Sequence, residues 1–518
     1  MGDPRLRLLD ATEGAQAERF LAALDSIKPV VIVPPDLPPM AAGAAVALVA
    51  LLSRVFAHLD VQGSAGVGPN PWGITRTEEA LNAFRAVRPR AVTVAPERTV
   101  LVTIGMDPSV PQGATVLGVG GGSWTARVGW GCQPLDAEWD DGLPHCLGLH
   151  AAVCLAVGEL IKCALMPLGM RGLALGGPLV WNLLDHRLEP AGSDRPARPD
   201  EAGSNPLRVL LAGAGSVGTS VAGILCLCTG VTGVAVLVDP EDFDPDRNPF
   251  RYPALTGTEQ GGKAAWASST LRRAGWAAEP VPAPLASWNS AQPSPGFEGL
   301  LVSSVDDVGG RLEVADVLAR EVISVGVAGL AFHVQRERLG DGWACPYCEY
   351  VAAEPALSRA HLIAEQIGLP VERVIALQLP GAGLTADDLA ACVSAGKISG
   401  SAAASLAGHR LADLIGRAYA EVELPQQPAQ VPGPGAPVPG GVTALAAPHV
   451  SWLAGVLTVA ELIKTTWGLP TLDRRVDVDL SGVPLGFTRR VRADTSGRCT
   501  CASGIRRRWM RKLYGSER

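Results

Sequence analysis

Residues 208–251, RVLLAGAGSVGTSVAGILCLCTGVTGVAVLVDPEDFDPDRNPFR, decide how the rest of the chain is read. Residues 209–213 (VLLAG) are apolar without alternation and stop at glycine, the mark of a strand buried on both faces of a parallel sheet. Gly213, Gly215 and Gly218 then spell GxGxxG before an apolar helical run. The first glycine allows the tight turn, the second lets backbone approach a phosphate, and the third lets helix and strand pack closely, while the helix start offers its amides to an anion. Residues 234–238 form a second apolar strand ending at Asp239, 24 residues after Gly215, where an acid can take ribose hydroxyls. In a chain with 60 glycines the three-glycine pattern alone is weak, and a turn that merely packs is the alternative. The strand–turn–helix–strand–acid order makes it a nucleotide site.

The continuation past Asp239 indicates which nucleotide. The chain runs EDFDPDRNPFRYPALTGTEQGGKAAWASSTLRRAG. It resembles the ATP-binding region of the ThiF, MoeB and ubiquitin-activating enzyme superfamily, in which an Asp closes the second strand and Asn-x-x-Arg and Gly-Lys-Ala follow. Asn248, Arg251 and Lys263 stand at those places. Leu300, Leu301 and Val302 make a third strand, after which Asp306 and Arg311 reproduce the family's Asp-Asn-x-x-x-Arg element, with Asp307 replacing the Asn. Glu241 stands where a second Asp is usual, one extra residue precedes Asn248, and Tyr252 replaces a common Gln. The resemblance implies ATP as the nucleotide, with Gly213, Gly215, Gly218, Asp239, Glu241, Asn248, Arg251 and Lys263 around it. It also implies Arg251 and Lys263 acting on the phosphates and Asp306 holding magnesium.

The bulk numbers suit a multidomain chain whose partners are small molecules or proteins. The 518 residues allow two or three domains, and 47% hydrophobic content can fill their cores. A net charge of −7 argues against a nucleic-acid partner. The charged start lacks the apolar core of a signal peptide, and the apolar run 40–52 is too short for a bilayer, so a cytoplasmic protein with no membrane partner is expected. Eleven cysteines, including a CxxC, suit reduced thiols and a metal better than a disulfide framework.

Residues 1–188 alternate strand-like and helix-like segments without a working phosphate loop. Gly118, Gly120 and Ser123 imitate one, but residues 124–128 (WTARV) read as a strand, so no helix start follows. Residues 152–162 (AVCLAVGELIK) recur at 454–464 (AGVLTVAELIK) with seven of eleven identities, each with a Glu and a Lys expected on an exposed face. The repeat is either a coincidence between two alanine-rich helices or the trace of two copies of one domain. Two copies suit the resemblance, because many family members pair an active with a degenerate adenylation domain. The fold expected is therefore α/β, with two Rossmann-like, ThiF-type domains in a pseudo-dimer, the second active, plus a helical insertion and a zinc site. The segments are 1–188 inactive adenylation-like domain, 189–206 linker, 207–350 active domain, 351–423 helical insertion, 424–445 Pro/Gly-rich linker and 446–518 C-terminal return. The resemblance implies that a basic residue from the partner domain reaches into the ATP site; Arg19 lies early enough in the chain to be considered, without the usual Arg-Gln context.

Cys345 and Cys348 (CPYC) form half of a tetrahedral zinc site, and Cys499 and Cys501 (CxC) are the pair left to complete it. Four thiolates leave no open position for water, so such a zinc is a structural staple. In ubiquitin-activating enzymes the insertion carries a cysteine that takes the activated carboxyl. Cys392 is the cysteine available there, yet it shares a helical face with Leu389 and Val393, which also reads as core, with Ser399 or Ser401 as other acceptors. Cys154, Cys163, Cys226 and Cys228 lie in apolar helices and read as packing, and His449 reads as a structural histidine. The basic end IRRRWMRKLYGSER reads as a solvated helix or one that docks an acidic partner or a membrane.

The resemblance implies ATP-dependent adenylation of the C-terminal glycine of a ubiquitin-like protein, followed by transfer to a conjugating enzyme, as in bacterial relatives found in presumed antiphage operons. Its rivals are a sulfur-carrier or peptide-modifying adenylyltransferase, and a non-catalytic nucleotide-binding interaction protein.

Overall fold

A computed structural model describes residues 5, 15–89, 91, 95–105, 113–131, 137–138, 145–168, 174–190, 206–245, 248–306, 308–337, 344–345, 347–348, 359–377, 382–411, 413–415, 447–494, 497 and 499–515. Most of the expected linker 189–206, all of 424–445, and Asp307 lie outside the described residues. The chain divides into two compact units, one of residues 1–21 with 352–445 and one of residues 22–351 with 446–518.

The larger unit holds two eight-stranded mixed sheets. The first contains β1 (Ile27–Ile32), β2 (Asp60–Gln62), β3 (Arg98–Ile104), β4 (Val116–Gly122), β5 (Thr125–Trp130), β6 (Ala137–Glu138), β7 (Leu179–Asn182) and β8 (Arg187–Pro190). The second contains β9 (Leu207–Ala212), β10 (Gly233–Val238), β11 (Ala277–Val281), β12 (Phe297–Ser303), β13 (Ala319–Ala328), β14 (Ala331–Glu337), β15 (Arg475–Asp479) and β16 (Leu485–Arg489). The strand orders are β2-β1-β3-β4-β5-β7-β8, with β6 on β4, and β11-β10-β9-β12-β13-β14-β15-β16. From β1 and β9 onward the two orders match strand for strand: parallel up to β4 and β13, then three antiparallel strands. Among the described residues the first sheet lacks a counterpart of β11.

Equivalent helices also occupy equivalent places. Pro39–Leu52 and Ser216–Leu227 follow the first strand of each sheet, and Leu147–Leu165 and Pro448–Thr466 precede the seventh. The last two pack on each other and on their own sheets, β4 and β5 for one and β13 and β14 for the other, so they lie between the sheets. That position explains their composition: every residue of the first, and every residue of the second up to Lys464, is buried, so neither has a polar face. Leu147–Leu168 is apolar and long enough to cross a bilayer, but most of it is enclosed by protein. Gly455 allows a close helix approach, since a Cβ there would meet Ser220 Cβ at 2.9 Å.

The Glu and Lys of the two repeat helices are not exposed, contrary to expectation; Glu159, Lys162, Glu461 and Lys464 are all buried. Each glutamate pairs with the lysine three residues on and accepts an amide from the chain beyond its helix, Leu175 N at 2.8 Å for Glu159 and Leu472 N at 2.7 Å for Glu461. Each lysine then crosses to the other sheet, Lys162 Nζ donating to Gly482 O at 2.6 Å and Lys464 Nζ to Leu184 O at 2.9 Å. His186, just before β8, joins this arrangement: its Nε2 lies 3.0 Å from Glu461 Oε1.

The smaller unit is helical, with Arg359–Ile367, Val371–Leu377, Ala386–Ser394 and Gly400–Ala404 around a core that includes Ile367, Val374, Leu389 and Leu414. Thr385 and Asp388 cap the third helix reciprocally, and Arg373 donates to both oxygens of Asp388 at 2.7 Å. The helix Gly400–Ala404 is short, and beyond it Gly408 turns back with φ +77° to donate to Leu384 O at 2.9 Å.

Candidate nucleotide site and cysteine centre

β10, β9 and β12 are parallel neighbours, so Asp239, the Gly213 loop and Asp306 emerge together at their carboxyl ends, where open α/β sheets bind ligands. The glycine loop is shaped as expected. Gly213 has φ +87°, which only glycine adopts cheaply, and a Cβ on Gly218 would lie 2.1 Å from Gly213 O. Gly215 caps the helix Ser216–Leu227. Two side chains not singled out in the sequence pin this loop. Ser304 Oγ donates to Gly213 O at 2.8 Å, and Ser216 Oγ donates to Arg251 O at 2.7 Å.

Asp239 is buried and accepts Ala214 N at 2.6 Å on one oxygen and Glu241 N at 2.8 Å on the other. Burial raises its pKa, against those two amides and Lys263. Its first task is thus to hold the glycine loop to β10, and the remaining lone pairs are what a ribose could use. Asn248 is likewise internal: its Oδ1 accepts Asp244 N at 2.7 Å, fixing the turn that opens the short helix Asn248–Arg251. Arg251 Nε is buried with no hydrogen-bond partner among the described residues, as a guanidinium prepared for an anion would be.

Lys263, buried at the start of helix Lys263–Arg273, pairs with exposed Glu241 and lies 5.8 Å from the centre of the Tyr252 ring. Burial pulls its pKa down, but Tyr252, Glu241 and Asp239 outweigh it, and the net shift is upward. Glu241 therefore occupies one donor of the Lys263 ammonium. An ammonium has three donors, so a phosphate can share it. Asp306 is exposed three residues beyond β12, while Arg311, from the same motif, is buried and donates to Ser324 Oγ at 2.8 Å. Asp306 thus stands exposed at the carboxyl end of the sheet, while Arg311 serves the sheet.

At the equivalent end of the first sheet, β4 passes directly into β5 across Ser123 and Trp124, and Gly121 has φ +115°. A helix does not start there, so the Gly118–Gly120–Ser123 imitation offers no amides to an anion.

Cys345, Cys348, Cys499 and Cys501 come together from both ends of the C-terminal half. Their sulfurs lie within 4.8 Å of one another, with Cys345–Cys499 at 3.2 Å and Cys348–Cys501 at 3.4 Å. Four thiolates around one tetrahedral zinc at about 2.3 Å place sulfurs under about 4 Å apart, so the donor set fits that ion. Asp494 N adds a contact to Cys348 Sγ at 3.4 Å, and Asp494 Oδ2 accepts Cys499 N at 3.2 Å. The basic helix Gly504–Tyr514 follows directly and docks on its own chain: Tyr514 Oη donates to Leu318 O at 2.8 Å and accepts Phe297 N at 3.0 Å, and Arg506 pairs with Asp316.

Cys392 is fully buried in the core of the helical unit, and burial pushes its thiol up to about 11. A nucleophile needs a thiolate and access. Burial of Cys392 favours the other reading that its helical face offers, a core residue. Ser399 instead caps the helix Gly400–Ala404 through Ala402 N. His449 is enclosed between the repeat helices beside Gly158.

No family model matches the chain. Over 410 residues it is 25% identical to the uncharacterized protein y4jF of Sinorhizobium fredii (strain NBRC 101917 / NGR234), an alignment covering 78% of this chain and 75% of that protein. Among solved structures, the crystal structure of E. coli MccB with MccA-N7isoASN aligns at TM-score 0.33 and 12% identity over 57% of this chain and 67% of that one. A likeness this slight assigns neither a family nor an activity.

Proposed function

We propose that the protein is an ATP-dependent adenylyltransferase of the ThiF and ubiquitin-activating kind, built as a pseudo-dimer whose second half is active, that activates the C-terminal glycine of a ubiquitin-like protein. The observation that carries the reading is the convergence of the Gly213 loop, Arg251, Lys263 and Asp306 at the carboxyl ends of β9, β10 and β12. Bound ATP with magnesium would supply the electrophilic α-phosphorus. A substrate carboxylate oxygen would form a bond to it, the bond to the bridging oxygen of pyrophosphate would break, and pyrophosphate would leave. The chain's part is to offset repulsion between anions: Arg251 and Lys263 supply positive charge, the helix start at Ser216 supplies amides, and Asp306 holds the ion. The Cys345–Cys348–Cys499–Cys501 centre, as a zinc staple, would tie the C-terminal segment to this half. Transfer to a conjugating enzyme would follow without a cysteine on this chain.

ATP–pyrophosphate exchange with candidate small proteins tests the reading. Exchange that requires a Gly-tailed ubiquitin-like protein, and its loss in Asp306→Ala, is the expected result. Exchange with a short peptide alone would favour a peptide-modifying enzyme, and nucleotide binding without exchange would favour an interaction protein. Normal exchange in Asp306→Ala would remove the magnesium assignment.

A further inference from the structure

The phosphate-side segment of the second half is gripped by the first half. Arg54 stands just past the helix Pro39–Leu52 and is completely buried. Its Nε donates to Pro249 O at 3.1 Å, its Nη2 to Tyr252 O at 2.9 Å and to Leu255 O, and its Nη1 to Ala50 O at 2.6 Å in its own helix. Trp72, also from the first half, donates Nε1 to Pro253 O at 3.1 Å. The segment 249–255 therefore gives four of its carbonyls to two residues nearly 200 positions away.

That segment carries Arg251 and Tyr252. The carbonyl of Arg251 is fixed by Ser216 at the glycine-loop helix, and Tyr252 faces the Lys263 ammonium. Arg54 thus holds one side of a turn whose other side is the phosphate loop. Its guanidinium is compensated by carbonyl oxygens and, more distantly, by Glu259, which is itself bound by Thr256 N at 2.6 Å and Gly257 N at 2.8 Å. A carboxylate partner would have satisfied a buried arginine more simply. Carbonyls at the end of a four-residue helix satisfy it only while that turn keeps its shape.

We infer that Arg54 of the degenerate half is a positioning residue for the nucleotide site, acting through the 249–255 turn to set Arg251, so that the first half controls nucleotide affinity in the second. The inference rests on the nucleotide-binding reading above. Arg54 does not touch the ligand.

The test uses the full chain and a fluorescent ATP analogue with magnesium. Arg54→Lys keeps the charge but not the fork, and its affinity should fall by roughly tenfold, the scale of a lost charge-assisted hydrogen bond. Because the effect runs through Arg251, the double variant Arg54→Lys/Arg251→Ala should bind no worse than Arg251→Ala alone. Losses that add, or wild-type affinity in Arg54→Lys, would overturn the inference. If Arg54→Lys does not fold, Trp72→Phe removes one bond to the same turn, and its smaller loss should likewise vanish in the Arg251→Ala background. Binding by the wild type with these variants unaffected sinks this inference alone, whereas no binding by the wild type sinks the nucleotide reading with it.

Discussion

Gly218 has no room for a side chain: a Cβ would lie 2.1 Å from Gly213 O and 2.9 Å from Ser304 Oγ. Gly218→Ala should therefore destabilise the chain by about 1–3 kcal/mol, the usual scale of overpacking, and weaken nucleotide binding by displacing the loop. Urea unfolding and nucleotide titration check the two effects separately. Residue types at fixed spacing made the glycines, Asp239, Asn248, Arg251 and Lys263 legible in the sequence. Their partners were not legible. Asp239 holds Ala214, Glu241 meets Lys263, and Ser304 pins Gly213 through contacts that span 22 to 91 positions. Cys392 is the opposite case, in which a plausible residue type meets a surrounding core that keeps its thiol protonated.

The elements between the sheets bury two Glu–Lys pairs. Glu461 lies between Lys464 and His186; burial raises its pKa, but their hydrogen bonds and charges win and bring it down to about 2. Lys464→Met would leave that carboxylate with a neutral histidine and, at 3.6 Å, Arg336 as its remaining cation, and should cost about 1–3 kcal/mol, the scale of a lost charge-assisted hydrogen bond, visible as a lower urea midpoint. His186→Gln, which can still donate, should cost less. The repeat itself was readable, but its exposed face was not, because helical spacing in an apolar run does not say that a second sheet covers the far side. The cysteine centre is a second such element. A strong chelator should remove one zinc per chain and expose four thiols to reagent, loosening Gly504–Tyr514 first, since Cys501 lies only three residues ahead of that helix.

For the whole molecule, acid is the expected weakness. His150 and His449 are completely buried, and burial brings each down to about 3 from an ordinary 6.5, with His145 and Lys162 respectively adding to it. Each is neutral when folded and binds a proton near pH 6.5 when unfolded. Between those values the unfolded chain holds more protons, so stability is fully present above pH 6.5 and falls as pH drops toward 3, by on the order of a few kcal/mol per histidine. Glu461 adds a loss at lower pH, as it titrates from its unfolded 4.5 down to about 2. Urea midpoints measured from pH 7.5 to 4.5 should slope downward, and His449→Leu should flatten the slope.

The sequence by itself determined the strands that end in a phosphate loop, the acids and bases after them, the four cysteines and the repeated helix, because each of these is written in local spacing and apolar period. Tertiary structure alone decided that the repeat helices lie back to back between matching sheets, that their Glu–Lys pairs are buried and cross from one half to the other, and that Arg54 reaches the 249–255 turn. Those facts depend on which distant surfaces exclude water from each other, and local spacing carries no record of that.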